Sequence, residues 1–208
     1  MSKKKEVLKK EAKETVLLKK EKAVKKEKVA KAVPAADANI YPIGKLLLPA
    51  TYSEAVINKL IQDLHVLPEQ LKAVSKKINK KKKLTYSYRE GGWNVEQIIH
   101  HIADSHMNAL VRFKLTLTEN NPTVKPYDEN LWAETVDNQL PVKNSIRLLK
   151  AIHAKWTILL ENMDKNDFKR TYFHPEMNRT VSLEEMLATY AWHGKHHVAQ
   201  IAVALKNG

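Results

Sequence analysis

SLEEMLATYAWHGKHHVAQIAVAL, residues 182–205, is the stretch that decides the fold. Ser182 followed three residues later by Glu185 reads as a capping box, in which each side chain satisfies a backbone N–H left unpaired by the first helical turn. Beyond it Met186, Tyr190, His193, His197 and Ile201 recur at helical spacing, so a helix running to about Leu205 carries two histidines on its apolar stripe. His193 and His197 stand i, i+4, with Cβ atoms only ~6 Å apart. Two imidazoles turned toward a core need polar partners, because unpaired buried groups cost free energy. A divalent metal ion is a partner both could share, although such a pair also occurs as hydrogen-bonded core histidines. No Glu follows the first histidine in the HExxH manner, so the zincin reading fails.

A second histidine string, HHIADSH, fills residues 100–106. Gly91-Gly92 breaks the chain ahead of it, and Asn94 with Gln97 makes another capping box, opening a helix to about Glu119. Ile98, His101, Ser105 and Arg112 share one face, beside a core stripe of Ile99, Ile102, Leu110 and Phe113. His101 thus falls near the inward boundary and His100 is rotated about 100° from it. Helical spacing alone does not choose which of them faces the pair. Asp104, one turn after His101, could hold that imidazole in the right tautomer or reach the metal itself. Arg112 could receive an anionic substrate group or form a surface ion pair.

Two more amphipathic helices complete the set. One starts at a Thr51 or Ser53 cap and runs to about Ile78, with Pro68 expected to kink or split it; the other spans Asn144 to Met163. Asp37 to Pro49 reads as a linker and an extended lead-in strand, and Lys80-Lys81-Lys82-Lys83 as a solvated loop. Pro122, Pro126 and Pro141 bracket a long connection holding Tyr127, Asp128 and Trp132, a candidate lid with a short helix around Leu131. Arg170 to Val181 reads as a hairpin around Pro175-Glu176. His106 and His174 read as surface histidines or hydrogen-bond partners of a ligand, and Trp93 and Trp156 as core. The expected fold class is all-α: a four-helix bundle with a long crossover connection and a small hairpin.

Composition narrows the function classes. The 208 residues include five Gly and no Cys, which excludes disulfides, thiolate metal sites and a cysteine nucleophile. No apolar run approaches the ~20 residues of a membrane span, and the N-terminus has no apolar signal-peptide core; a cytoplasmic location is expected. Residues 1–33 hold 13 of the 36 Lys+Arg and 5 of the 23 Asp+Glu, so +8 of the net +13 lies there. Residues 1–36 are read as a lysine-rich, disordered tail and 37–208 as the folded domain. The tail could contact nucleic acid, but no aromatic interleaves its lysines to stack on bases.

The run YREGGWNVEQIIHHIADSHMNALVRFKLTLTE at residues 88–119, then KPYDE at 125–129, YFHP at 172–175 and WHGKHH at 192–197, resembles the YfiT-like branch of the DinB superfamily in order and spacing. The resemblance runs from the YPIG at Tyr41 to Leu205. It implies an up-and-down-type four-helix bundle with a long crossover, usually dimeric, and one divalent ion, zinc or nickel, held by His101, His193 and His197. It also implies a metal-dependent hydrolase using an activated water, or an S-transferase using a metal-bound low-molecular-weight thiol such as bacillithiol. Asp104 and Arg112 are then the candidate catalytic or substrate-binding neighbours. Gly194 and Lys195 stand where the family has a string of histidines, and neither replaces a ligand. Three imidazoles leave a metal with an open position, as in catalytic sites. The alternative is a non-enzymatic metal-binding stress protein whose basic tail contacts nucleic acid.

Overall fold

The computed structural model describes residues 35–208, with side chains from residue 38 onward. Residues 1–34, all but the last two of the lysine-rich tail, lie outside the described residues, and with them its expected disorder and nucleic-acid contact. The helices are α1 (Ala35–Ile40), α2 (Glu54–Ser75), α3 (Val95–Thr118), α4 (Glu129–Ala133), α5 (Lys143–Glu161), α6 (Lys165–Lys169) and α7 (Leu183–Asn207). One antiparallel hairpin joins β1 (Thr171–His174) to β2 (Arg179–Ser182). No described helix is long and apolar enough to cross a membrane.

Local chemistry sets the helix starts. Asn94 Oδ1 accepts from the Gln97 amide at 2.9 Å while Gln97 Oε1 accepts from the Asn94 amide at 3.0 Å, closing the expected box. Ser182 Oγ accepts from the Glu185 amide at 3.2 Å, and Ser53 Oγ from the Val56 amide. Three local expectations change. Pro68 lies inside one continuous α2 and does not split it. The lead-in is the short helix α1 followed by irregular chain, not a strand, because its polar contacts go to α7: the Ile40 carbonyl accepts from Gln200 and the Gly44 carbonyl from Trp192. The lysine run enters a short 3-10 turn, Lys81–Thr85.

α2, α3, α5 and α7 form the bundle. The neighbouring pairs are α2–α7, α3–α5, α2–α5 and α3–α7, so α2 stands across the bundle from α3 and α5 across from α7. The core has two apolar clusters, and each helix passes through both. α2 and α7 run from the cluster containing Ile61, Phe113, Trp156 and Leu187 to the one containing Leu71, Ile99, Leu149 and Ile201; α3 and α5 run the opposite way. The helix directions are therefore up, down, down, up. This differs from the up-and-down order that the resemblance implies. The reason is the connection over residues 119–142: a return between the parallel neighbours α3 and α5 must travel the length of the bundle, and this segment is long enough to do so.

Candidate metal centre

α3 and α7 are antiparallel neighbours, and His101 meets His193 and His197 between them; the box expected at the start of α7 is only half formed, since Ser182 caps the Glu185 amide while the Glu185 carboxylate pairs with Arg179 instead of the Ser182 amide. His101 Nε2 lies 3.1 Å from His193 Nε2, and His197 Nε2 lies 3.1 Å from the same atom. One ligand atom from each ring lies within 4.8 Å of the other two, and this is the sole group of three or more His, Cys, Asp or Glu so gathered among the described residues. His101 and His197 are buried and His193 half-buried.

Burial pushes the His101 ring down to about 4. Burial and the neighbouring imidazoles hold His193 and His197 well below the usual histidine range. All three rings are neutral at pH 7 and offer lone pairs. His197 has its tautomer fixed by a residue that sequence reasoning passed over. Gln200 Nε2 donates to the Ile40 carbonyl at 2.9 Å, which leaves Gln200 Oε1 to accept from His197 Nδ1–H at 2.8 Å. The bare Nε2 of His197 then faces the cluster. The available signal was a Gln one turn after a candidate ligand.

The donor set fits a divalent ion. Zn–N bonds of about 2.0–2.1 Å at tetrahedral angles separate ligand nitrogens by about 3.3 Å, close to the observed 3.1 Å. Contacts of this length are either an N–H donated from one ring to the next or, with a cation among them, lone pairs directed at it.

The other sequence candidates are distributed around this cluster. His100 turns to α5, where Nδ1 lies 2.8 Å from Ser145 Oγ. Asp104 is not in the cluster and makes no hydrogen bond to His101; it is half-buried, and burial with the nearby Asp137 pushes its carboxyl up to about 6. His196 stacks on Trp192 at 4.4 Å. Trp93, expected in the core, is only partly buried and walls the cluster, 4.5 Å from the His101 ring and 6.5 Å from His197. Trp156 is core, 1% exposed.

His193 also lines a cavity of about 240 Å³ together with Arg112, Tyr127, Tyr172, His174, Glu185 and Tyr190. Arg112 makes no ion pair among the described residues; one N–H donates to the Lys125 carbonyl at 3.1 Å. Burial pushes the Tyr127 hydroxyl up to about 12 and raises Tyr172 and Tyr190, so these hydroxyls remain protonated donors. Of the lid candidates, Tyr127 reaches the cavity and Trp132 packs on it at 4.4 Å. Asp128 instead caps α4, accepting from the Asn130 and Leu131 amides.

Comparison with known proteins agrees with this architecture. Residues 54–201 match the DinB superfamily. A protein of Oceanobacillus iheyensis named "Putative metal-dependent hydrolase" is 45% identical over 166 residues, 80% of this chain and 95% of that one. A protein of the same name from Halalkalibacterium halodurans is 44% identical over 167 residues, 80% of this chain and 96% of its own length. Among solved structures, YfiT from Bacillus subtilis, described as "a probable metal-dependent hydrolase with an unusual four-helix bundle topology", superposes with a TM-score of 0.78 at 38% identity, covering 82% of this chain and 97% of that one. A mycothiol-dependent maleylpyruvate isomerase shares the fold at a TM-score of 0.57 and 15% identity, over 70% of this chain and 60% of its own.

Proposed function

This chain belongs to the DinB superfamily, and from that premise we propose that it is a metal-dependent hydrolase of small molecules whose single zinc or nickel ion is held by His101, His193 and His197. The observation that carries the reading is the convergence of three neutral imidazole nitrogens, two contacts of 3.1 Å among them, beside a polar cavity. Asp104, outside the group of three rings, is proposed as a polar neighbour of the ion and not as a ligand. The homodimer and the cytoplasmic location belong to the same reading.

When bound, the ion supplies Lewis acidity and acidifies a nucleophile at the position that the three histidines leave open. The chain does the rest. Gln200 holds the proton on His197 Nδ1 and keeps Nε2 free. Trp93 covers one side of the cluster and keeps bulk water from it. The Arg112 guanidinium receives an anionic group of the substrate, and the Tyr127 and Tyr190 hydroxyls donate to oxygen atoms that gain negative charge. Arg112→Ala is expected to raise KM for an anionic substrate about tenfold, since a hydrogen bond to a charged group contributes roughly 1.5–3 kcal/mol. Equal losses for neutral and anionic substrates would contradict this role.

A second reading, transfer from a low-molecular-weight thiol, is favoured by one feature. No carboxylate joins the three rings within 4.8 Å, the adjoining cavity's Glu129, Glu176 and Glu185 lying outside that group; water would need a base brought to it, whereas a thiol with a pKa of about 8.5 needs less help. Two parallel assays on the zinc-loaded and nickel-loaded protein separate them. One offers amide and ester substrates without thiol; the other offers a low-molecular-weight thiol with an aromatic halide. Turnover in the first alone supports hydrolysis, and in the second alone S-transfer. Silence in both, with no perturbation of the metal's spectrum by thiol or anion, supports a closed structural site.

Residues 1–36 are proposed to be a separate tail with no part in this site. Deleting residues 1–33 should leave metal content and Tm unchanged. A marked loss of either would move the domain boundary.

A further inference from the structure

Of the buried histidines outside the cluster, His106 and His153 lead away from it in a line. His106 on α3 is 0% exposed and His153 on α5 is 2% exposed, and neither is paired with a carboxylate. His193 Nδ1 is 3.3 Å from His106 Nε2, His106 Nδ1 is 2.9 Å from His153 Nε2, and His153 Nδ1 is 2.6 Å from the Leu64 carbonyl oxygen on α2.

The last contact fixes every proton in the line. A carbonyl oxygen only accepts, so His153 carries its proton on Nδ1. Both rings are buried with no carboxylate beside them to stabilise a second proton, so His153 Nε2 is bare and accepts from His106 Nδ1–H. His106 Nε2 is then bare and accepts from His193 Nδ1–H. What remains on His193 is a lone pair at Nε2, the atom that faces His101 and His197. A neutral imidazole that donates at one nitrogen accepts at the other, so the direction cannot reverse partway.

The carbonyl at the far end is free for a reason written in the sequence. In an α-helix the carbonyl of residue 64 accepts from the N–H of residue 68. Residue 68 is proline, which has no N–H, yet α2 continues through it. Pro68 thus leaves one backbone acceptor unclaimed in the bundle interior, opposite His153.

We propose that Pro68, the Leu64 carbonyl, His153 and His106 form a positioning chain that sets the tautomer of His193 and thereby prepares its Nε2 as a metal ligand. This rests on His193 being a ligand, as read above. The chain spans α2, α5, α3 and α7, so one proline on α2 is linked through two rings on other helices to a nitrogen at the metal centre. Outer partners of this kind typically change metal affinity about 10–100-fold when lost.

The test uses the full chain. Long-range proton–nitrogen NMR of the metal-free wild type reads each imidazole tautomer directly, and zinc affinity is measured against a competing chelator. Wild-type His153, His106 and His193 should all be protonated at Nδ1. Pro68→Ala restores an N–H that competes with His153 for the Leu64 carbonyl; its Tm should hold or rise, while the His153 Nδ1–H population falls and zinc affinity drops about tenfold or more. A merely structural role for Pro68 would move neither readout. Nε2 protonation of His106 or His153 in the wild type overturns the proposal without any variant having to fold. So does a folded Pro68→Ala protein with unchanged zinc affinity. If zinc binding also survives in His193→Ala, the ligand assignment itself has failed; if it is lost there but the tautomers are wrong, only the positioning chain has failed.

Discussion

Replacing His193 by alanine reduces bound zinc or nickel from near one ion per chain to less than a tenth of that after mild dialysis. His193 is the ring shared by both 3.1 Å contacts, so its loss leaves His101 and His197 without the nitrogen between them. The exposed cavity wall also changes, but the fold should persist. His193 is half-buried, and the apolar clusters on either side do not depend on it. Elemental analysis with circular dichroism separates the two effects. Full metal retention by a folded His193→Ala protein would remove the assignment. His197→Ala should behave alike.

Gly194→Val is expected to be the most destabilising single change near the centre. α7 approaches α2 so closely at this position that a Cβ would lie 2.2 Å from Leu67 Cδ2 and 2.9 Å from Cδ1. Leu67 is 1% exposed and has nowhere to go. Replacing a mid-helix glycine ordinarily favours the helix by up to about 1 kcal/mol, but overpacking a tight core costs typically 1–3 kcal/mol and occasionally more. Even Gly194→Ala should lose stability, and valine, with two further methyls, should lower Tm by several degrees per kcal/mol lost, on the order of 2–4 °C each. A Tm at or above the wild-type value for either variant would show that the helices can separate without cost.

How much of this was legible beforehand follows the range of the interactions. The helices were readable because their periodicity and capping residues are local, and the His193–His197 pair because i, i+4 geometry is too. The choice between His100 and His101 was not, since it depends on whether α5 or α7 lies on a given side of α3; the resemblance, and not the spacing, pointed to His101. Pro68 was read as a break because the sequence shows the missing N–H but not the partner that takes up the freed carbonyl, which lies 89 residues away on His153. Asp104 looked like a natural partner for His101 at one turn's distance, yet it makes no hydrogen bond to that ring, and burial first and Asp137 from the crossover second push its carboxyl up. The up, down, down, up order was likewise hidden, because a long connection is compatible with either neighbour.

Anomalous diffraction at the zinc or nickel edge from crystals of the metal-loaded protein tests the central claim most directly. The account predicts one peak per chain, bonded to the Nε2 atoms of His101, His193 and His197 with at least one further position filled by solvent or a small ligand. A peak elsewhere, or an ion ligated by Asp104 or His100 in place of these rings, would contradict it.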